Sequence, residues 1–192
     1  MSFLNYLITD PKYYSDDSAK FSEVLTKALN TYEISIASFR DKMSEEIELL
    51  AKSFLDICKE KNIEKIVINS NIELALSLGF DGVHLTSKQF DEIKYCKEKN
   101  LFVIISCHDF DEAKKAYDLG ADAITYSPIF YTPYKGKPKG IEALKALTHS
   151  MDEISQREFN IIALGGIVDK DHVEEIKKSG ANGFASIRYF VD

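Results

Sequence analysis

The sequence is poor in cysteine, and its three cysteines form no recognisable pattern. Cys58, Cys96 and Cys107 are an odd number, and their spacing does not match the ligands of a structural zinc ion. Neither a disulfide framework nor a zinc site is therefore indicated. A protein with so few thiols fits a reducing cytoplasm.

Long apolar segments and an excess of positive charge are also missing. No apolar run approaches the roughly 18 to 20 residues that cross a bilayer, and residues 1–5 lack the basic start of a signal peptide. The formal net charge is −7, whereas a general nucleic-acid-binding protein needs a basic face. The sequence thus predicts a cytoplasmic protein with neither a membrane nor a nucleic acid as its partner.

What is present is enough apolar material for one folded domain. The chain has 192 residues, of which 45% are hydrophobic, and no low-complexity linker interrupts it. We therefore expect a single domain over residues 1–192. The composition leaves open whether that domain is a monomer or a homodimer.

The most informative segment lies near the C-terminus, at residues 161–167. Its first four residues are apolar, which is typical of a strand buried on both faces of a parallel sheet. Gly165 and Gly166 follow at once, and their missing Cβ atoms would let an anion approach the backbone N–H groups. A second short strand begins at Gly183. Because the loops after the last two strands of a βα-barrel commonly hold a phosphate, we expect a phosphate site here.

A short pattern occurs three times and predicts a repeated βα unit. Residues 78–83, 119–124 and 179–184 each place a glycine, a small or aromatic residue and an Asp or Asn before a new apolar run. Each copy predicts a helix that ends on glycine, a turn and a strand. Together with the other apolar runs, these segments give eight strand candidates. Six have predicted bounds, at residues 4–9, 33–39, 65–68, 101–106, 123–127 and 160–164. The other two begin at residues 82 and 183.

Eight such strands predict an α/β fold, a (β/α)8 TIM barrel in which only the last strand lacks a proper following helix. The length of 192 residues lies just under the roughly 200 usual for this fold, which fits shortened helices. A doubly wound open sheet is the alternative, but residues 9–12 have none of the glycines of a dinucleotide-binding turn. Ser44 is expected to cap the helix after the second strand.

In this fold the chemistry lies where strands end and loops begin. Residues 126–140 form a long, aromatic and cationic loop with three lysines, Lys135, Lys137 and Lys139. Together with Arg40 and Lys42, they predict a bound anion larger than one phosphate, either a pyrophosphate or two separate phosphates. The alternative is that the lysines are only solvated and that Arg40 pairs with Asp41 or with a carboxylate on a helix.

Three other polar residues stand at predicted strand ends: His84, Ser106 and His108. Both histidines are candidate bases, although a lone histidine at a strand end is more often structural. Ser106-Cys107-His108 looks like a nucleophile cluster, but neighbouring strand residues point to opposite faces, so Cys107 and His108 would not meet. We expect Cys107 to be buried as a small apolar residue.

Several short segments, in order along nearly the whole chain, together resemble the thiamine phosphate synthase and TenI family of small barrels. The segments are Tyr-Leu-Ile-Thr-Asp at 6–10, Arg40-x-Lys42, Gly-Phe-Asp-Gly-Val-His-Leu at 79–85, Ser106-x-His108, Gly-Ala-Asp at 120–122, Pro-x-Phe-x-Thr-x-x-Lys at 128–135, Ala-Leu-Gly-Gly-Ile at 163–167 and Gly183-x-Ala185. Each is weak alone, whereas the ordered set is fairly specific.

The resemblance implies a transferase of thiamine biosynthesis that acts on small phosphorylated precursors. The synthase joins a hydroxymethylpyrimidine pyrophosphate to a thiazole phosphate and expels pyrophosphate, with magnesium as its cofactor. Ser106 would lie beside the reacting methylene, so Ser106 and Lys135 are the catalytic candidates, with His84 and His108 as further substrate-binding candidates. The resemblance places pyrophosphate on Arg40, Lys42, Asn69 and Lys135, and thiazole phosphate near Thr132, Gly165, Gly166 and the backbone at Ser186 and Ile187.

The chain departs from the family at both acidic magnesium ligands. The family's Asn-Asp pair is Asn69-Ser70 here, and no acid stands before Asp91 where the second carboxylate is expected. Magnesium is usually held by one or two carboxylates together with substrate phosphates. We therefore predict no metal ligand in this chain and a coupling activity that is weak or absent.

Three further departures concern the ligands themselves. The glutamine that precedes the Arg-x-Lys motif in the family is Ser38, and the late serine is Arg188, which would add a cation for the thiazole phosphate. TenI-type thiazole tautomerases use a histidine where this chain has Pro128. The alternative to a weak synthase is therefore a TenI-like protein, either a thiazole phosphate isomerase using His84 or His108 or a non-catalytic binder of thiazole or thiamine phosphate.

Overall fold

The structure, a computed structural model, describes residues 2–41, 44–133 and 135–191 and shows a closed barrel of eight parallel strands in chain order. Strand β1 pairs with β8, from Leu4 opposite Gly183 to Leu7 opposite Ser186, and this pairing closes the ring. The predicted barrel is confirmed, and the open-sheet alternative is wrong. The strands are β1 (Leu4–Ile8), β2 (Ile36–Phe39), β3 (Lys65–Asn69), β4 (Gly82–Leu85), β5 (Phe102–Cys107), β6 (Ala123–Tyr126), β7 (Asn160–Leu164) and β8 (Gly183–Ser186).

Helices on the outside connect successive strands. Five of them begin at a side chain whose oxygen accepts a hydrogen bond from an N–H of the first turn, which satisfies a group that the helix leaves free; these are Asp10, Asp17, Asn71, Asp109 and Asp169. The helices are α1 (Pro11–Tyr14), α2 (Ser18–Thr31), α3 (Ile47–Glu60), α4 (Ile72–Leu78), α5 (Ile93–Glu98, after a 3₁₀ turn at Phe90–Glu92), α6 (Phe110–Leu119), α7 (Gly140–Ile154) and α8 (Lys170–Lys177).

Two helix predictions can be compared with these bounds. Ser44 does not cap α3, which begins only after Glu46; its N–H and hydroxyl donate instead to the Asp41 carboxylate. The prediction failed because α3 begins at Ile47, so that Ser44 lies two residues before the N-cap position. After β8 no helix occurs in the described residues 187–191, as expected. None of the described helices is long and apolar enough to cross a membrane.

The three repeated segments share one hydrogen bond, although only the first two end a helix on glycine; α8 ends at Lys177, before Gly180. Gly79 and Gly120 end α4 and α6 in the left-handed conformation, at φ +77° and +94°. The Asp or Asn that follows accepts a hydrogen bond from an N–H of the preceding strand. The three bonds run from Ile66 to Asp81 (2.8 Å), from Val103 to Asp122 (2.7 Å) and from Ile161 to Asn182 (2.7 Å). Each copy thus fastens the beginning of one strand to its neighbour.

Apolar residues fill two regions, one on each side of the strands. The larger lies between the barrel and the helices and contains Cys107, which is fully buried as predicted. The smaller lies inside the barrel, and its layer beside the carboxyl ends of the strands is polar. The apolar members of the inner region are Tyr6, Ile8, Ile36, Val67, Ile104, Ala123, Ile162 and Ala185.

Candidate functional site

The predicted site residues are brought to one end of the barrel, because the carboxyl ends of parallel strands meet there. The convergence that the sequence suggested is therefore present. What each residue binds stays a prediction, and Lys42 lies outside the described residues. The residues at or just below this rim are Arg40, Asn69, His84, Ser106, His108, Thr132, Lys135, Gly165, Gly166, Ser186, Ile187 and Arg188.

Arg40 forms an ion pair with Asp10, the residue that caps α1. One oxygen of Asp10 contacts the guanidinium, while the other accepts a hydrogen bond from the Lys12 N–H at 3.1 Å. Thr9 holds the backbone, since its hydroxyl accepts from the Arg40 N–H at 2.9 Å. An ion pair was one of the two sequence interpretations, but Asp10 rather than Asp41 is the partner. An incoming anion must therefore compete with Asp10 for the guanidinium.

Asn69 is held by its neighbours at the end of β3. Its Nδ2 donates to the His84 carbonyl at 3.0 Å, and its Oδ1 accepts from the Ser70 hydroxyl at 3.2 Å. Ser70 has a left-handed backbone, with φ +63°, and its carbonyl accepts from Gln89. The position where the resemblance would place a carboxylate thus carries an uncharged hydroxyl that is bonded to Asn69.

A cavity of about 520 Å³ opens beside Asn69, between the barrel and helices α3, α4 and α5. Three carboxylates line it, but among the described residues no group of three or more His, Cys, Asp or Glu side chains could hold a metal ion. At the place where the resemblance puts a magnesium carboxylate, the uncharged Ser70 does not fit that ligand, and we assign no chemical step to the ion. The carboxylates are Asp41, Glu73 and Glu92.

A set of polar side chains lies inside the barrel, just below the rim. The Nδ1 of His84 is 2.8 Å from the Tyr6 hydroxyl, and its Nε2 is 3.1 Å from Ser106 Oγ and 3.2 Å from Thr125 Oγ1. Burial, and to a smaller degree the charge of Arg40, lowers the pKa of His84 to about 4. The imidazole is thus neutral near pH 7 and has one donor and one acceptor nitrogen.

Sequence reasoning found His84 and Ser106 in this set and missed Tyr6 and Thr125. The signal was available, because every second residue of a strand faces the same side. Thr125 pairs with Ser106 in register, and Tyr6 lies two residues before Ile8 on the inward face of β1. Tyr6 lies in the middle of β1, and Thr125 lies one residue before Tyr126, where the search of that loop began.

His108 lies exposed on the rim, next to the loop at residues 127–139. Its Nδ1 is 3.0 Å from the Ser127 carbonyl oxygen, and its backbone N–H donates to the Glu112 carboxylate at 2.6 Å. Because a carbonyl oxygen can only accept, Nδ1 carries the hydrogen and Nε2 of the neutral ring carries a lone pair. Cys107 points into the outer core instead, which confirms that these two neighbours do not meet.

Gly165 and Gly166 allow the loop at residues 127–139 to lie directly against the end of β7. Both have positive φ, +101° and +71°, and a Cβ on Gly166 would lie 2.5 Å from the Tyr131 carbonyl oxygen. The loop is anchored by hydrogen bonds from the Ile129 N–H to Leu164 and from the Phe130 N–H to Gly165, both 3.0 Å long. The missing side chains thus serve the packing of the loop, a role that sequence reasoning did not foresee.

The remaining candidates differ in how firmly they are held. Ser186 Oγ donates to the Ile167 carbonyl at 2.8 Å and accepts from the Tyr189 N–H at 3.2 Å, so its side chain is used within the fold. Lys135 and Lys137 are exposed and have no ion-pair partner in the part of the chain that the structure describes. Lys139 Nζ lies 5.3 Å from the centre of the Tyr126 ring.

Known proteins resemble this chain over most of its length. The model of the thiamine monophosphate synthase family matches residues 5–190. A thiamine-phosphate synthase of Bacillus anthracis (strain A0248) is 34% identical over 173 residues, which are 86% of this chain and 76% of that protein. A relative from Aquifex aeolicus (strain VF5) is 29% identical over 97% of both chains. The solved structure of thiamine phosphate pyrophosphorylase from Pyrococcus furiosus is similar with a TM-score of 0.79 and 25% identity, over 96% of this chain and 85% of that one.

Proposed function

Because the chain belongs to the thiamine monophosphate synthase family, we propose that it joins a hydroxymethylpyrimidine pyrophosphate to a thiazole phosphate at the carboxyl end of its barrel. One observation carries the proposal. Arg40, Lys135 and the Gly165-Gly166 turn stand around the same opening that Ser106 faces. Separate places for two anions around one opening suit a reaction between two phosphorylated molecules.

The reaction breaks one bond and forms one. The methylene carbon of the pyrimidine separates from the pyrophosphate oxygen, which keeps the bonding electrons, and the thiazole nitrogen then bonds to that carbon. The aminopyrimidine ring stabilises the intermediate cation. The protein has chiefly to neutralise the leaving group and hold the thiazole nitrogen in place.

Cationic side chains neutralise the departing pyrophosphate. Arg40 presents a planar donor set that matches phosphate oxygens, and Asn69 stands beside it at the end of β3. Lys135 reaches the same anion from the loop at residues 127–139. It has no ion pair to break within the described residues. Lys42 belongs to the same group by the family resemblance.

The thiazole phosphate occupies the other side of the opening. The backbone around Gly165 and Gly166, the Thr132 hydroxyl and the backbone of Ser186 and Ile187 supply hydrogen bonds, and half-buried Arg188 adds a positive charge. An ideal Cβ on Gly165 would lie 3.3 Å from Thr132 Oγ1, so the loop threonine and the glycine turn line one small space.

The coupling is slow, because the two carboxylates of the family's magnesium site are absent. Ser70 cannot replace a carboxylate, and Asp10 competes with the anion for Arg40. The positive charge that assists departure therefore comes from the side chains alone.

A single-turnover assay tests this proposal. Purified protein, in excess over both precursors, is incubated with and without magnesium, and thiamine phosphate and free pyrophosphate are measured. We expect both products in equal amounts, at a rate that magnesium changes little. An Arg40→Ala variant should lower the rate strongly. Absence of thiamine phosphate under these conditions would rule the coupling activity out.

His108 favours a second candidate, a TenI-like activity on thiazole phosphate alone. Its Nε2 lone pair faces solvent at the rim and could accept a proton from a bound thiazole. The measurement is exchange of the ring-carbon hydrogen of thiazole phosphate for deuterium, with wild type and His108→Gln. Exchange in the wild type that the variant loses supports an isomerase; calorimetric binding without exchange or coupling supports a non-catalytic binder.

The proposal also covers the domain organisation, the cellular location and the oligomeric state of the protein. The chain forms one domain over residues 1–192 and acts in the cytoplasm, as a monomer or as a homodimer. All three cysteines are buried free thiols, which suits a reducing compartment. Light scattering on the purified protein distinguishes these two oligomeric states by their mass.

A further inference from the structure

The polar side chains inside the barrel indicate how the Ser106 hydroxyl is held as well as where it lies. Tyr6, His84, Thr125 and Ser106 belong to strands β1, β4, β6 and β5, so the barrel itself holds them in place. Tyr6 and Thr125 are fully buried, and His84 is almost so, whereas Ser106 is half-buried and faces the opening. Ser106 is therefore the member of the set that a ligand can reach.

The distances around His84 distinguish between its two neutral forms. Two hydroxyl oxygens lie at nearly equal distance from Nε2, 3.1 Å for Ser106 and 3.2 Å for Thr125. A single lone pair on Nε2 would accept well from only one of them. A hydrogen on Nε2 can be shared between both oxygens, and a shared hydrogen bond is longer than a simple one, as these are.

The other nitrogen supports the same form. A hydrogen on Nε2 leaves a lone pair on Nδ1, and the Tyr6 hydroxyl lies 2.8 Å from it. Burial raises the pKa of Tyr6 far above its ordinary value, and the opposing effect of nearby Ser38 is smaller. Tyr6 thus keeps its hydrogen and donates it to Nδ1. Ser38 Oγ, buried nearby, makes no hydrogen bond of standard geometry to any described residue, so it does not compete strongly for that hydrogen.

We propose that Tyr6 and His84 are positioning residues that hold the Ser106 hydroxyl as a hydrogen-bond donor towards the opening of the barrel. Ser106 Oγ accepts from His84 Nε2 and, at 3.4 Å, weakly from Thr125. With its oxygen occupied by these donors, its own hydrogen is free for a ligand. The site therefore selects a ligand atom with a lone pair at this depth, such as an unprotonated ring nitrogen or a phosphate-ester oxygen.

The identity of that ligand rests on the proposed function, but the hydrogen positions do not. They can be measured on the protein alone, from the ¹⁵N shifts of labelled histidine. The chain has four histidines, and a His84→Gln variant identifies the signals of His84. We expect Nε2 to show the shift of a protonated nitrogen and Nδ1 that of an unprotonated one.

A Tyr6→Phe variant tests whether the Tyr6 hydroxyl determines which nitrogen of His84 carries the hydrogen. It removes the donor to Nδ1, so we expect both neutral forms of His84 to become populated and the ¹⁵N shifts to move towards each other. Tyr14→Phe is the matched control, because Tyr14 is equally buried and its hydroxyl has no hydrogen-bond partner within residues 2–41, 44–133 and 135–191. That control should leave the His84 shifts unchanged.

The kcat/KM of variants then tests whether His84 donates a hydrogen bond to Ser106 and whether Ser106 donates one to the ligand. Loss of one neutral hydrogen bond predicts a decrease of about tenfold in kcat/KM for Tyr6→Phe and for Ser106→Ala, and a change within about twofold for Tyr14→Phe. His84→Gln, whose amide can still donate to Ser106, should keep more activity than His84→Leu. If His84→Gln and His84→Leu are equally impaired, the donor role is wrong.

The two proposals fail in different ways. A hydrogen on Nδ1 of His84 in the wild type overturns the positioning role, whatever the protein catalyses. A wild type that makes no thiamine phosphate overturns the proposed function and leaves the hydrogen positions as they are measured. The expected shifts together with an active wild type support both.

Discussion

At the scale of single residues, Asp10 has two tasks that a single substitution can separate. One oxygen caps α1 and the other pairs with Arg40. An Asp10→Asn variant keeps a good capping group and removes the charge. We expect pyrophosphate to bind about threefold to tenfold more tightly, because the anion no longer competes for Arg40. Isothermal titration with pyrophosphate measures this.

Asp17→Asn is the control for this prediction. Asp17 caps α2 by accepting from the Lys20 N–H at 2.8 Å, and it makes no ion pair among the described residues. Pyrophosphate affinity should not change in this variant. Weaker binding in Asp10→Asn would mean that Asp10 orients Arg40 for the anion rather than competing with it.

A single substitution at Ser70 is expected to increase the coupling rate. Its hydroxyl bonds to Asn69, and its left-handed φ of +63° is one that Asp tolerates better than most residues. Ser70→Asp therefore places a carboxylate beside the amide without straining the turn further. We expect the coupling rate to become dependent on magnesium, with an increase of at least about tenfold at saturating metal.

Ser70→Asn is matched in shape and lacks the charge. It should stay independent of magnesium, and both variants are compared across a magnesium titration. An equal response of the two variants would show that the missing carboxylate at position 70 is not the cause of a slow rate.

At the scale of elements, the contact between the glycine turn and the loop at residues 127–139 is the most sensitive to substitution. A Cβ at position 166 would lie 2.5 Å from the Tyr131 carbonyl and 2.7 Å from the Phe130 carbonyl carbon, both backbone atoms. Gly166→Ala should therefore lower the free energy of unfolding by roughly 2 to 4 kcal/mol and displace the loop. Urea denaturation measures the first effect, and thiazole phosphate affinity the second.

Gly136 lies in the same loop and provides the comparison. A Cβ there would meet nothing within 4 Å among the described residues, and its φ is not positive. Gly136→Ala should be neutral or slightly stabilising, because alanine restricts the unfolded chain. A Gly166→Ala protein as stable as Gly136→Ala would show that the loop can move away from β7 at little cost.

At the scale of the whole molecule, the buried His84 makes stability depend on pH. Its pKa is about 4 in the folded protein and 6.5 ordinarily. Between these values the unfolded chain binds a proton that the folded protein does not, so the free energy of unfolding falls as the pH decreases. The loss begins near pH 6.5 and amounts to about 3 kcal/mol at pH 4, and above pH 6.5 His84 contributes none.

Urea denaturation of wild type and His84→Gln between pH 4.5 and 8 measures this contribution. Carboxylates titrate in both proteins, so the difference between the two curves isolates the histidine. We expect the variant to lose less stability than the wild type on acidification. Parallel curves would mean that water reaches the imidazole and that it titrates normally.

Much of this fold could be predicted from local pattern. The eight strands were found because apolar runs and glycine-terminated helices repeat along the chain, and the repeat reflects the bonds that Asp81, Asp122 and Asn182 make to neighbouring strands. Ser44 shows where such reasoning fails. Its capping role depended on the residue at which α3 begins, which is Ile47, and the spacing of residue types does not locate that start to the residue.

The sequence by itself determined the barrel, the end at which the site lies and the residue types gathered there, since alternation of apolar residues and the direction of the chain decide these locally. Only the tertiary structure decided which residues contact one another. Asp10 meets Arg40, Tyr6 meets His84, and the glycine turn meets its loop across 30, 78 and about 35 positions of chain. Hydrogen bonds and van der Waals contacts act over a few ångströms, so such pairs exist only once the ring of strands has closed.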